Sequence, residues 1–262
     1  MINEMHSFIV ASVTTYSYVM NIVAAFIFFT RLPFWRLKEV PSECFKHVVP
    51  YWPWVGWLTG SVMAMVLVLG SLVMPVSLAW ILAIVSRLLM TGALHEDGLA
   101  DFFDGFGGGT TRERTLAIMK DSHIGTYGVI GLIIYFLLML ELRHLPVSML
   151  CTLILCGDCW GKLCASQLIN FLPYARKEED SKAKVIYNRM SSKELFFCIM
   201  GGTLPLWLLP LSLWGALVAP CLVLAFLILL MKRRLQGYTG DCCGATFLMC
   251  EMAFYLSALI LI

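Results

Sequence analysis

From His95 to Gly128 the chain reads HEDGLADFFDGFGGGTTRERTLAIMKDSHIGTYG, a concentration of acids, bases and glycines in an otherwise apolar sequence. Glu96, Asp97, Asp101, Asp104 and Asp121 supply carboxylates, and Arg112, Arg114 and Lys120 supply cations. If the segment after His95 is helical, Asp97, Asp101 and Asp104 follow an i, i+4, i+7 pattern and share one face. Three like charges so placed repel one another unless a cation holds them. Hard carboxylate oxygens without convergent His or Cys suit Mg²⁺, which commonly bridges protein carboxylates to substrate phosphates. Gly107, Gly108 and Gly109 then offer backbone N–H groups, and the neighbouring cations offer side chains, for a phosphate. The pattern therefore predicts a Mg²⁺–pyrophosphate site. A solvated helix face just outside a membrane is the competing reading.

Other candidates are weaker. His95 and His123 could bind substrate or assist proton transfer, or simply cap and hydrogen-bond. Asp241, between Gly240 and Cys242, is either a remote ligand or an N-cap for the last helix. The segment Gly157-Asp158-Cys159-Trp160-Gly161-Lys162 has the wrong glycine spacing for a phosphate-binding loop and Leu163 where a hydroxyl is required. The ten cysteines fall mostly in apolar runs and read as small buried residues without redox or zinc chemistry.

The elements that must position this chemistry follow from composition. The 262 residues are 60% hydrophobic and only 14% charged, with a mean hydropathy of +0.81, which indicates a polytopic membrane protein. A net charge of +2 gives no argument for nucleic acid. Apolar runs of crossing length occupy 54–74, 77–94, 126–142, 147–169, 195–213, 216–231 and 245–262. Only helices can carry them, because unpaired backbone cannot face lipid. The expected fold is an all-α integral membrane bundle of about seven transmembrane helices, forming a single domain over 1–262. An N-terminal run at 8–30 either spans, re-enters or lies in the interface; without a basic flank, it does not read as a cleaved signal peptide.

The linkers 31–53, 95–125, 170–194 and 232–244 are long and charged and hold every Lys and Arg except Arg87, Arg143 and Lys162. By the positive-inside rule all four are cytoplasmic, so the acidic cluster, the segment around Arg176 and the segment around Asp241 meet on one face. Arg87, Asp158 and Lys162 lie within spans and need partners, either one another or the cluster.

Four motifs in order, HEDGLADFFDGFGGG, IMKDSHIGTYGVIGL, LPYARKEEDSKAK and GYTGDCCGAT, together with FFTRLP at Phe28 to Pro33, resemble the cobalamin synthase family, the membrane-bound adenosylcobinamide-GDP ribazoletransferases. The resemblance implies transfer of the phosphocobinamide moiety of adenosylcobinamide-GDP to α-ribazole or its 5′-phosphate, with release of GMP and with Mg²⁺ as cofactor. It also implies the bacterial cytoplasmic (inner) membrane, an active site open to the cytoplasm, and contact with lipid; a homo-oligomer is compatible with such a chain. By position, Glu96, Asp97, Asp101 and Asp104 match the acidic motif, Asp121 and Ser122 the second, Arg176 the third and Asp241 the fourth. His123 stands where the family commonly has Arg, and the segment around Asp158 to Lys162 also departs from it.

In the mechanism this implies, the ribose 3′-hydroxyl attacks the phosphorus nearer the cobinamide. Mg²⁺ on Asp97, Asp101 and Asp104 neutralises the bridging oxygens, and Arg112, Arg114, Lys120 or Arg176 clamps the pyrophosphate. Asp104 or Glu96 is a candidate to take the hydroxyl proton. Asp-rich membrane phosphotransferases and prenyltransferases match these motifs less well. A cation transporter would place more ionisable residues near mid-span.

Overall fold

The computed structural model describes residues 18–177 and 185–262. The helices are α1 (Tyr18–Phe29), α2 (Trp52–Ser71), α3 (Val76–Thr91), α4 (Leu94–Gly108), α5 (Arg112–Lys120), α6 (Thr126–Glu141), α7 (Val147–Ser166), α8 (Leu168–Phe171), α9 (Ser192–Thr203), α10 (Val218–Arg234) and α11 (Gly240–Leu261). Among the described residues there is no named strand, only an isolated bridge between Tyr174 and Tyr238. The all-α membrane bundle is thus the observed architecture. Helices α7 and α11 are the most enclosed, whereas α6 and α10 turn most of their surface outward. On α6, Ile130, Ile133, Ile134 and Leu137 are exposed, an apolar stripe suited to lipid.

The count of spans differs from the seven expected. Among the described residues five helices are long and apolar enough to cross, six if the pair α3 and α4, bent by 88°, forms one broken span. The stretch 195–213 does not make a crossing helix. It forms α9, of 12 residues, and then two 3₁₀ segments, Leu204–Leu208 and Leu211–Leu217. Pro205 and Pro210 stand at those breaks, where a proline removes a helical N–H and clashes with the preceding turn. At the N-terminus the described part of the expected 8–30 run is α1, 12 residues long; residues 8–17 of that run lie outside the described residues.

The segment 95–125 is not an open loop. It forms α4 and α5, with α4 packed between α11 and α6. Between its acids α4 carries Leu99 and Phe102, both buried, so one side belongs to the core. Gly92 ends α3 at φ +66, and Ala93 follows at φ 56. Two left-handed residues in succession turn the chain through the right angle. A side chain at Gly92 would also collide with the Arg31 guanidinium.

The polar segments converge as their charge pattern predicts. Arg112 donates from Nε to the Leu235 carbonyl (2.8 Å) and from Nη2 to that of Ala175 (2.7 Å). Arg234 donates to the Gly109 carbonyl (2.5 Å). On the other side, Asn188 N–H donates to the Lys46 carbonyl (2.9 Å), and His47 Nδ1 lies 2.8 Å from Glu194 Oε1.

Glu194 closes a capping box with Ser191 at the start of α9. Its hydrogen bond raises the His47 pKa above the ordinary 6.5. Burial opposes the charge of Glu194, but hydrogen bonds from His47 and Ser191 outweigh it and lower its pKa below 4.5. The Glu194 contribution is present above 4.5 and is lost as pH falls through its depressed value; the His47 contribution is full below 6.5 and is lost as pH rises through its elevated value. Hydrogen exchange of residues 188–195 is therefore expected to be slowest between about pH 4.5 and 6.5 and to accelerate above that window. In His47→Ala the acceleration should vanish once intrinsic exchange is corrected for.

Candidate active site

Helix α4 delivers its acids to different surroundings because neighbours on a helix point about 100° apart. Asp97 is exposed and lines a cavity of about 110 Å³ together with His95, Arg176 and Asp241. At the cavity α4 and α11 approach backbone to backbone. A Cβ on Gly98 would lie 3.0 Å from the Asp241 carbonyl oxygen, and one on Gly244 would lie 3.2 Å from His95 Cα. Asp241 is in the first turn of α11, whose N-cap Thr239 accepts from Cys242 N–H (3.4 Å). Arg176 Nη1 is 3.8 Å from Asp241 Oδ2, and Arg176 Nη2 donates to the Leu116 carbonyl (2.9 Å). The third and fourth motifs are joined directly: Ala175 N–H donates to Tyr238 O (2.8 Å), and Tyr238 N–H donates to Pro173 O (2.9 Å). So Asp97, Asp241, Arg176 and His95, distant in sequence, meet at one cavity.

Asp104 lies about two turns, or about 10 Å, further along α4. Its two oxygens accept from Gly125 N–H (2.7 Å) and Gly128 N–H (2.8 Å), so it caps the N-terminus of α6. A shallow polar depression borders Asp104, Arg114, Asp121, His123 and Gly125. There the His123 Nδ1 contact of 2.6 Å holds the Asp121 carboxyl below its ordinary value. Ser122 and Lys120 are exposed at the same end. Asp101, buried one turn from Asp97, lies between the two regions. The glycines are not a loose phosphate loop. Gly107 and Gly108 are helical, and Gly109 caps α4. A Cβ on Gly107 would strike the Tyr127 ring at 2.5 Å, and one on Gly109 would strike Thr115 Oγ1 at 2.1 Å; close packing is what requires glycine there.

Glu96 faces away from the cavity. Its Oε2 is buried without a hydrogen-bond partner among the described residues, and its charged neighbours are Arg87, Glu251 and Lys162. These belong to an ionic cluster inside the bundle. Arg87 donates to Glu251 Oε1 (2.5 Å) and Tyr135 Oη (2.6 Å), and Tyr255 Oη also donates to Glu251 (2.9 Å). Lys162 pairs with Asp158, and Thr59 bridges the two, donating to Asp158 (2.9 Å) and accepting from Lys162 (3.0 Å). The span residues Arg87, Asp158 and Lys162 thus find their partners in one another and in Glu251. Sequence reasoning did not single out Glu251; its signal is an acid isolated in the last apolar run.

Among the described residues no group of three or more His, Cys, Asp or Glu side chains is placed to hold a metal ion. All ten cysteines are free.

A family profile described as "Cobalamin-5-phosphate synthase" matches residues 21–259, which include both ends of α4, Arg176 and Asp241. The chain belongs to the cobalamin-5-phosphate synthase family. Three relatives of this cobalamin-5-phosphate synthase family member are named adenosylcobinamide-GDP ribazoletransferase. That of Shewanella woodyi is 38% identical over 238 residues, covering 88% of this chain and 92% of the relative. That of Shewanella frigidimarina is 37% identical over 238 residues (88% and 91%). That of Shewanella sp. strain W3-18-1 is 35% identical over 238 residues (89% and 91%). No solved structure matches this member of the family.

Proposed function

We propose that this protein transfers the phosphocobinamide moiety of adenosylcobinamide-GDP to the 3′-hydroxyl of α-ribazole or α-ribazole 5′-phosphate, releasing GMP. The observation that carries the proposal is the meeting of Asp97, Arg176 and Asp241 at one cavity, a cation and two carboxylates suited to a pyrophosphate and a divalent ion. The matched relatives carry the corresponding name over nearly the whole chain.

The donor set fits Mg²⁺. This ion keeps several waters and binds through one or two carboxylates plus substrate phosphates, so a dedicated cage of three protein ligands is not required. Asp97 and Asp241 would hold it, with Asp101 one turn away. When bound, Mg²⁺ supplies charge neutralisation to the phosphates. Arg176, positioned by the Leu116 carbonyl, clamps the pyrophosphate as a fork. The ribose oxygen forms a bond to the phosphorus nearer the cobinamide, the bond from that phosphorus to the bridging oxygen breaks, and GMP leaves in line. The hydroxyl proton passes to a carboxylate of the Asp97–Asp241 pair. Asp104, occupied by two backbone amides, fixes α4 against α6, while Arg114, Asp121, Ser122 and His123 offer a second polar surface to the large donor.

The protein works as one membrane-embedded unit in the bacterial cytoplasmic membrane, with this end facing the cytoplasm, where the positive segments belong. The test is GMP formation by the purified protein in liposomes given adenosylcobinamide-GDP, α-ribazole 5′-phosphate and Mg²⁺. GMP should appear only when both substrates and the metal are present. Ion flux from the same liposomes without GMP would overturn the proposal.

A further inference from the structure

The cavity has a second, apolar half whose walls are aromatic. Phe29 and Trp52 stack at 4.8 Å and 7°, and His95 continues the stack at 5.5 Å and 22° from Trp52. Phe28 and Tyr187 meet edge to face at 5.9 Å, and Tyr174 completes the lining. Two polar groups in this lining are orphans among the described residues. His95 is 2% exposed and Trp52 is 1% exposed, yet neither ring nitrogen of His95 nor the indole Nε1 of Trp52 has a hydrogen-bond partner. Buried polar groups in folded proteins are nearly always satisfied, so such a pair in a cavity wall points to a ligand. Phe247 packs edge-on against His95 at 4.9 Å, and the Lys162 ammonium lies over that same ring at 4.4 Å, with the Arg87 guanidinium at 5.8 Å.

We propose that this aromatic half holds the planar base of the acceptor nucleoside, and that His95 and Trp52 recognise its single unsubstituted ring nitrogen; the inference rests on the ribazoletransferase reading above. A benzimidazole riboside presents two apolar faces, an apolar outer edge and one ring acceptor, which matches walls with so few polar groups. The guanine of the donor has several donors and acceptors along its edge, which two side chains cannot satisfy. The corrin is far too large for about 110 Å³. Placing the base here puts the attached ribose toward Asp97, Arg176 and Asp241, where the hydroxyl must react.

The experiment uses the full chain in liposomes and two acceptors, α-ribazole and the α-riboside of 5,6-dimethylindole, which lacks the ring acceptor. Wild type is expected to prefer α-ribazole by at least about tenfold in kcat/KM, since a site built to hydrogen-bond a group rejects the analogue lacking it. In His95→Phe, which retains a flat ring, KM for α-ribazole rises and the preference over the indole riboside collapses. His95→Gln, which still donates, keeps part of the preference. KM for adenosylcobinamide-GDP shifts less than KM for α-ribazole in both variants. A preference undiminished in His95→Phe, or a KM increase confined to adenosylcobinamide-GDP, overturns the inference. Should His95→Phe fail to fold, α-ribazole titrated into wild type and Trp52→Phe decides: tryptophan quenching in wild type that is lost in Trp52→Phe supports the site, and quenching absent in wild type or undiminished in Trp52→Phe rejects it. Absence of GMP with every acceptor defeats the transferase reading instead, and the two failures are therefore distinct.

Discussion

Asp97→Asn in liposomes is expected to lower GMP release by about 10²–10³-fold, the scale of losing one charge-stabilising group in an enclosed site. The variant should keep wild-type helicity and elute normally in detergent, because Asp97 is exposed at the cavity. Asn has nearly the same volume but no charge, so the lost quantity is attraction for a divalent ion and basicity toward the hydroxyl proton. Raising Mg²⁺ should recover part of the rate if the ion is held there. Asp104→Asn provides the contrast. It retains one carbonyl oxygen for the α6 amides now bound at 2.7 and 2.8 Å, and its effect should register in stability as well as rate, at about 1 kcal/mol for a weakened cap. Undiminished turnover by Asp97→Asn would remove Asp97 from the metal and proton roles.

Arg87→Met is expected to destabilise the bundle by about 3–5 kcal/mol, the range for removing one partner of a buried ion pair. Arg87 is 1% exposed and bonded to Glu251 and Tyr135, with Asp158 Oδ2 at 3.9 Å. Its loss strands Glu251, fully buried with only the hydroxyls of Tyr255 (2.9 Å) and Tyr135 (3.4 Å) left as donors among the described residues. The penalty is thus mainly the uncompensated carboxylate, and it predicts a non-additive cycle. Arg87→Met combined with Glu251→Leu should recover much of the stability, since an apolar pair of similar volume replaces an ionic one at little cost. Thermal unfolding in one detergent, followed by loss of unaggregated protein, measures all three variants. A double variant as unstable as the sum of the single ones would show that the two side chains act independently.

The sequence makes the crossing helices legible where predominantly apolar residues extend over 18 or more positions, as in 147–169 and 245–262, each interrupted by only one or two charges. It does not separate a crossing from 195–213, whose prolines redirect an equally apolar stretch into 3₁₀ turns. The acids of α4 suggest a site and a shared face, but their charge also makes the segment read as aqueous. Its burial depends on Gly98 meeting Asp241 and Gly105 meeting Met119, contacts made across the fold. Asp241 joins Asp97 for the same reason. The capping role of Asp104 depends on amides 21 and 24 residues away, and Glu251 meets Arg87 across 164 residues. Such partners follow from topology and leave no local pattern. The orphan nitrogens of His95 and Trp52 become visible only when every neighbour is placed.

Glu96 and Asp97 are adjacent, yet one lies beside the ionic cluster and the other lines the cavity. Surface loops absorb an added or deleted residue with little effect. Here a single residue inserted after Ala93 would turn all of α4 by about 100°, sending a carboxylate meant for the cavity into the bundle and withdrawing the Asp104 cap from α6. The acidic motif therefore carries information in its register as much as in its letters, and a frame shift of one position should be more damaging than any conservative substitution within it.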